Sequence, residues 1–168
     1  MHISRRTFMT RTAAGMAGAW AAGRWAQADD TKPKYRLSAC DWSMMAVGPK
    51  GLRVAKDIGL DGVEASAGKP ADTLEIAKHE YRRQYKDAME ATGLVVSSTA
   101  MGFLNQAPLA EDARGPAWLD QTIEGTKDLG AQVILLAFFA QGNLLEGDRL
   151  KTDAVDVVDG CLSDWHVY

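Results

Sequence analysis

Gly130-Ala131-Gln132-Val133-Ile134-Leu135-Leu136-Ala137-Phe138-Phe139 is the most continuously apolar stretch of this 168-residue chain. Residues 132–139 are short enough for a strand, follow a glycine, and lack the polar alternation of a half-exposed strand. Such a run reads as a strand buried on both faces of a parallel sheet. The segment ahead of it has helical periodicity. Pro116 opens it, Trp118, Leu119, Ile123 and Leu129 turn toward a core, and Gly130 stops it.

The same unit recurs upstream. Residues 35–42 read as a first strand, followed by a short helix opened by Pro49 and Gly51, with Leu52, Ala55 and Ile58 at helical spacing. Gly59 ends that helix, and residues 60–66 form a second strand. The next helix spans 74–92, with Tyr81, Tyr85, Ala88 and Met89 along one face, and ends at Gly93. Residues 94–100 are a β-branched third strand. Residues 141–150 read as a loop, and 151–159 begin a fourth helix. The three stop glycines lie 34 and 37 residues apart. Strand–helix alternation at that period predicts α/β architecture built of parallel β-α repeats.

Two architectures use such repeats. A doubly wound sheet announces its nucleotide site by a glycine-rich turn after the first strand. Here that turn is Asp41-Trp42-Ser43-Met44-Met45-Ala46-Val47-Gly48, with no G-x-G-x-x-G pattern. A (β/α)8 barrel carries its chemistry on the C-terminal ends of the strands. Those ends hold Asp41, Glu64, Ser98, Thr99 and Phe139. Polar groups closing apolar strands favour the barrel reading.

With these residues in view, the chain resembles the xylose-isomerase-like barrels, the sugar phosphate isomerases and epimerases related in fold to endonuclease IV. Gly59-Leu60-Asp61-Gly62-Val63-Glu64 resembles the family's G-[FY]-D-G-[VI]-E segment. Leu129-Gly130-Ala131-Gln132-Val133-Ile134-Leu135 is similar to its lead into strand four, and Ser97-Ser98-Thr99-Ala100-Met101-Gly102 to its strand-three end. Asp41-Trp42 closing strand one also fits. The resemblance spans residues 35 to about 158. It implies four units of a TIM barrel, a half-barrel, since a full one takes about 250 residues. It also implies a divalent metal of the Mn, Mg, Zn or Co class in full-length relatives. Their ligands come from strands five to eight, so no metal ligand and no catalytic residue is assigned in this chain. The histidines of the endonuclease branch are replaced by Ser97, Ser98 and Thr99. The expectation is therefore a sugar isomerase/epimerase-like protein, truncated and catalytically incomplete. The alternatives are a non-catalytic, dimerising ligand-binding half-barrel and a non-functional gene fragment.

The expected substrate-binding residues are Asp41, Trp42, Glu64, Thr99 and Phe139, for a small carbohydrate. A carboxylate at a strand end is costly to bury alone, so Glu64 and Asp41 either meet a ligand or pair with a nearby Lys or Arg. Trp42 and Phe139 either wall a sugar pocket or pack in the core. His79 reads as a solvated surface residue.

The N-terminus carries Ser4-Arg5-Arg6-Thr7-Phe8-Met9, the pattern of a twin-arginine export signal. A weakly apolar stretch, 12–23, and a small-x-small cleavage site, Ala26-Gln27-Ala28, follow. Residues 1–28 are thus expected to be a signal peptide, 29–34 a polar leader, 35–159 the half-barrel and 160–168 a tail unlike the family, as a frameshift or premature stop would leave. The expected address is the bacterial periplasm or beyond. The whole chain has 19 basic and 22 acidic residues, and four of the basic ones (Arg5, Arg6, Arg11, Arg24) lie in the signal. The remainder carries 15 against 22, a net −7, which argues against nucleic acid as a partner. No segment after the signal is apolar enough to span a bilayer. Cys40 and Cys161 lack metal-ligand spacing. Either they bridge, or Cys40 is buried and Cys161 exposed. Strands one and four would be open edges, so either two copies associate through them as a homodimer or the fragment is marginally stable.

Overall fold

A computed structural model describes residues 35–163. The expected export signal (1–28), the expected polar leader (29–34) and residues 164–168 of the expected tail lie outside them. The described chain alternates strand and helix: β1 (Ser38–Cys40), α1 (Lys50–Asp57), β2 (Gly62–Ser66), α2 (His79–Thr92), β3 (Val95–Met101), α3 (Gly115–Asp128) and β4 (Ile134–Leu136). A two-residue-per-strand hairpin, β5 (Leu145–Glu146) and β6 (Arg149–Leu150), then leads into α4 (Thr152–Ser163).

The four long-range strands pair in parallel in the order β1-β2-β3-β4. Chain order and spatial order coincide, so the described strands contain no switch point of the kind that defines a doubly wound sheet. This is the strand order of consecutive barrel units, and the chain forms a partial TIM-barrel-like α/β fold.

The core lies between the sheet and its helices. Val63 and Ala65 of β2 and Val96, Thr99 and Met101 of β3 are buried. They meet Leu52 and Ala55 of α1, Tyr85 of α2, and Trp118 and Leu119 of α3. The larger apolar side chains among them each contribute about 1.5–3 kcal/mol by leaving water. Trp118 is the largest, fully buried, with its ring edge-on to Phe103 at 5.1 Å and its indole N–H donated to the Ala71 carbonyl at 2.6 Å. Gly93 takes φ 74°, the left-handed conformation that closes a helix and is strained for other residues. Gly59 and Gly130, at φ 81° and 76°, follow the ends of α1 and α3 in the same conformation.

Several expected boundaries shift. Strand four is only three residues long, and the apolar run around it is not buried on both faces: Val133, Leu135 and Phe139 are 59%, 44% and 57% exposed. The physical reason is that, among the described residues, helices cover one face of the sheet and β4 is its edge. Ile58 leaves the core, being the residue that caps α1, and is 61% exposed. The expected helix over 74–92 is two pieces, a 3-10 turn at Glu75–Ala77 and α2, because Lys78 is extended between them. Arg82 ties the pieces to α3, donating to the Ile76 carbonyl and pairing with Asp128 at 2.7 Å. The loop read over 141–150 contains the hairpin, and the last helix runs on to Ser163, into the first residues of the expected tail. Both cysteines are free thiols, each half-buried.

Candidate functional site

The register of the sheet builds one row across three strands. Cys40 pairs with Glu64, and Glu64 with Ser98, at the Cα level. Directly opposed residues of neighbouring strands share a face. All three side chains therefore project together, on the face opposite Val63, Ala65 and Val96. The Cys40 thiol donates to Glu64 Oε1 at 3.1 Å, and the Ser98 hydroxyl donates to Glu64 Oε2 at 2.8 Å. All three residues are partly exposed. One step toward the strand ends, Ser66, Ala100 and Leu135 continue the same face.

Register also explains why Ser98 rather than Ser97 joins the row. Pairing slips by one residue between Val63 and Glu64, so Ser97 is the extra residue and its hydroxyl turns to the Val63 carbonyl. A bulge of this kind re-aims the side chains that follow it.

No Lys or Arg pairs with Glu64 among the described residues; the ion pairs lie on the helices and loops. The salt-bridge alternative for this carboxylate is thus absent there. Glu64 is a carboxylate with two neutral donors, facing an open surface. Burial pushes the Cys40 thiol up from its ordinary pKa, and the hydrogen bond to Glu64 and its negative charge add to the rise.

Asp41 is placed quite differently. It is fully buried, and one oxygen, Oδ2, accepts from the Gly48 amide at 3.0 Å, the Ser66 amide at 3.1 Å and the Tyr85 hydroxyl at 3.4 Å. That oxygen joins the loop after β1, the end of β2 and helix α2. Its other oxygen is buried without a partner. Burial, with the neighbouring Tyr81 and Asp41, pushes the Tyr85 phenol far above its ordinary pKa. Thr99 is also fully buried, on the helix side of the sheet, with its hydroxyl 2.7 Å from that of Thr126 in α3. The Thr126 proton goes to the Thr122 carbonyl, so Thr99 is the donor in that pair.

Trp42 and Phe139 are 40% and 57% exposed, just beyond β1 and β4. Three strand spacings, about 14 Å, separate those strands, so the two rings flank the sheet rather than forming one aromatic clamp. His79 is exposed at the start of α2. Among the described residues, no three His, Cys, Asp or Glu side chains gather as a metal site, and no helix is long and apolar enough to cross a membrane. A groove of about 350 Å³ lies away from this row, between α1 and α2, and is lined by Lys50, Arg53, Gln84 and Asp87.

Sequence reasoning singled out Glu64 but missed Cys40 and Ser98 as its partners. Their signal is the paired register, which no single strand carries.

No family model and no curated protein matches the chain. Among solved structures, the apo form of 3-keto-D-glucoside 4-epimerase, YcjR, from E. coli is similar to it at 16% identity and a TM-score of 0.46. The match covers 69% of this chain and 44% of that one, so this chain spans less than half the length of the epimerase it resembles.

Proposed function

We propose that this chain handles a small carbohydrate, in the manner of sugar isomerases and epimerases, and that Glu64 is the carboxylate that meets the sugar. The observation that carries this reading is the Cys40–Glu64–Ser98 row: a half-buried carboxylate on an open sheet face, hydrogen-bonded to neutral donors and unpaired with any described cation. A carboxylate oxygen has more than one lone pair, so each oxygen of Glu64 keeps acceptor capacity for a ligand hydroxyl. Trp42 and Phe139 supply exposed aromatic faces at the two sides of the sheet for the apolar faces of a sugar. Asp41 and Thr99 act behind this surface, holding the strand ends and α3 in place.

The divalent metal implied by the family resemblance finds one carboxylate in this row and no group of three or more ligating side chains among the described residues. Export by the twin-arginine route belongs to the same proposal, with residues 1–28 as the signal. A fusion of those residues to a reporter that reaches the periplasm only when folded tests it; a reporter retained in the cytoplasm would remove the export reading.

The carbohydrate reading is tested by ligand-observed NMR on the full chain with D-xylose, D-glucose and D-fructose. Saturation transfer to at least one sugar, lost in Glu64→Gln, is expected. Absence of transfer to all three in the wild-type chain would sink it. A second reading, two copies associating through the sheet edges, is favoured by one observation: β1 and β4 are both edge strands among the described residues. Light scattering that returns a monomer mass at high protein concentration would exclude it.

A further inference from the structure

Glu64 is gripped at both oxygens by residues that come from different strands. The Cys40 thiol reaches Oε1 from β1 and the Ser98 hydroxyl reaches Oε2 from β3. A glutamate on an open sheet face otherwise spreads its carboxylate over many rotamers. Donors on opposite sides confine it to one plane, set across the strands. One acceptor position on each oxygen is then used by the protein and one stays open. Two open acceptors on a fixed carboxylate match two neighbouring hydroxyls of one ligand.

We infer that Cys40 and Ser98 are positioning residues that fix the Glu64 carboxylate to receive a vicinal diol. The inference rests on the carbohydrate reading above and deepens it by naming the group recognised. Cys40 suits the task because it remains a protonated donor: its thiol is pushed up first by burial and then by Glu64 itself. The same shift makes it a poor thiolate nucleophile at neutral pH, so the thiol serves as a hydrogen-bond donor here.

Two arms test this on the full chain. In the first, iodoacetamide alkylation of Cys40 is followed against pH by peptide-resolved mass spectrometry, with Cys161 read in the same sample. Glu64→Gln removes the charge and one of the two acceptor oxygens. The midpoint for Cys40 is expected to fall by about half a pH unit. Its rate at pH 8 is expected to rise about twofold, the gain in thiolate being partly offset by lower nucleophilicity. Cys161 stays unchanged. An unchanged Cys40 profile overturns the inference, whatever the sugars do.

The second arm measures D-xylose binding by NMR. Cys40→Ala is expected to weaken it about fivefold, whereas Cys40→Ser, which restores an O–H donor, stays within about twofold of wild type. Equal losses in the two variants indicate a packing role and overturn the inference. Faster alkylation together with no D-xylose binding by wild type leaves the grip on Glu64 standing, but overturns the diol role and the carbohydrate reading.

Discussion

Replacing Asp41 by alanine removes an acceptor shared by three donors on three different segments. The Gly48 and Ser66 amides, at 3.0 and 3.1 Å, would lose a charged partner, and the Tyr85 hydroxyl a longer one at 3.4 Å. Hydrogen bonds to a charged group contribute about 1.5–3 kcal/mol each, and an orphaned buried donor costs about 1–3 kcal/mol. Asp41 is fully buried, so water does not reach these donors freely. With two short bonds and one long one, and with partial relaxation, Asp41→Ala is expected to cost about 3–5 kcal/mol. That is a large part of the 5–15 kcal/mol that holds a typical domain folded, about 10 kcal/mol in the middle of the range. Asp41→Asn keeps one carbonyl acceptor and loses the charge, while its amide takes the place of the oxygen that already lacks a partner. It is expected to cost about 2 kcal/mol. Urea unfolding followed by tryptophan fluorescence measures both. Were Asp41 instead a ligand contact, alanine would be nearly neutral for stability. A loss below about 1 kcal/mol in Asp41→Ala would refute the clamp described here.

Trp118→Ala removes the largest buried side chain and the indole bond to Ala71, and should cost about 3–5 kcal/mol by the same urea assay. Two glycines should respond in opposite directions. A Cβ on Gly125 of α3 would lie 2.6 Å from Ile76 Cγ1 and 2.9 Å from the Ile76 carbonyl oxygen, so Gly125→Ala is expected to destabilise by about 1–3 kcal/mol. Gly160 of α4 has open space around it, so Gly160→Ala should stabilise by about 0.5–1 kcal/mol through helix propensity. Lys86, at 2.6 Å, and Arg82 hold the Asp128 carboxyl below its ordinary pKa. Because that value is lowered in the folded state, its stabilisation is present above the unfolded carboxylate value of about 3.9 and is lost as pH falls through the lower folded value. Asp128→Asn should therefore lose less stability than wild type between neutral pH and about pH 2, read as the change in urea midpoint.

The repeat was legible because its punctuation is local. Gly59, Gly93 and Gly130 each take a positive φ after a helix, and a strand follows each. The core-facing residues of α3 were equally legible, since Trp118, Leu119 and Leu129 fall at helical spacing and are buried. The run at 132–139 misled because apolarity reports what a segment can bury, and not how many of its faces are covered. Val133 and Leu135 lie on the uncovered face. The roles of Asp41 and Glu64 were not separable in sequence, as both close a strand with a carboxylate. Folding separates them. The amides of Gly48 and Ser66 come to Asp41 from seven and 25 residues away, whereas Glu64 meets only neutral side chains of the flanking strands. Ser98 was hidden by the one-residue slip in register at Glu64.

The most direct test sets the two carboxylates against each other. D-xylose binding is measured by NMR titration on the full chain in wild type, Glu64→Gln and Asp41→Asn, with folding checked by circular dichroism. Glu64→Gln is predicted to weaken binding about tenfold or more, as expected for loss of charged hydrogen bonds, while folded Asp41→Asn binds within about twofold of wild type. Binding that survives in Glu64→Gln and is lost in folded Asp41→Asn would contradict the placement of the sugar at the Cys40–Glu64–Ser98 row.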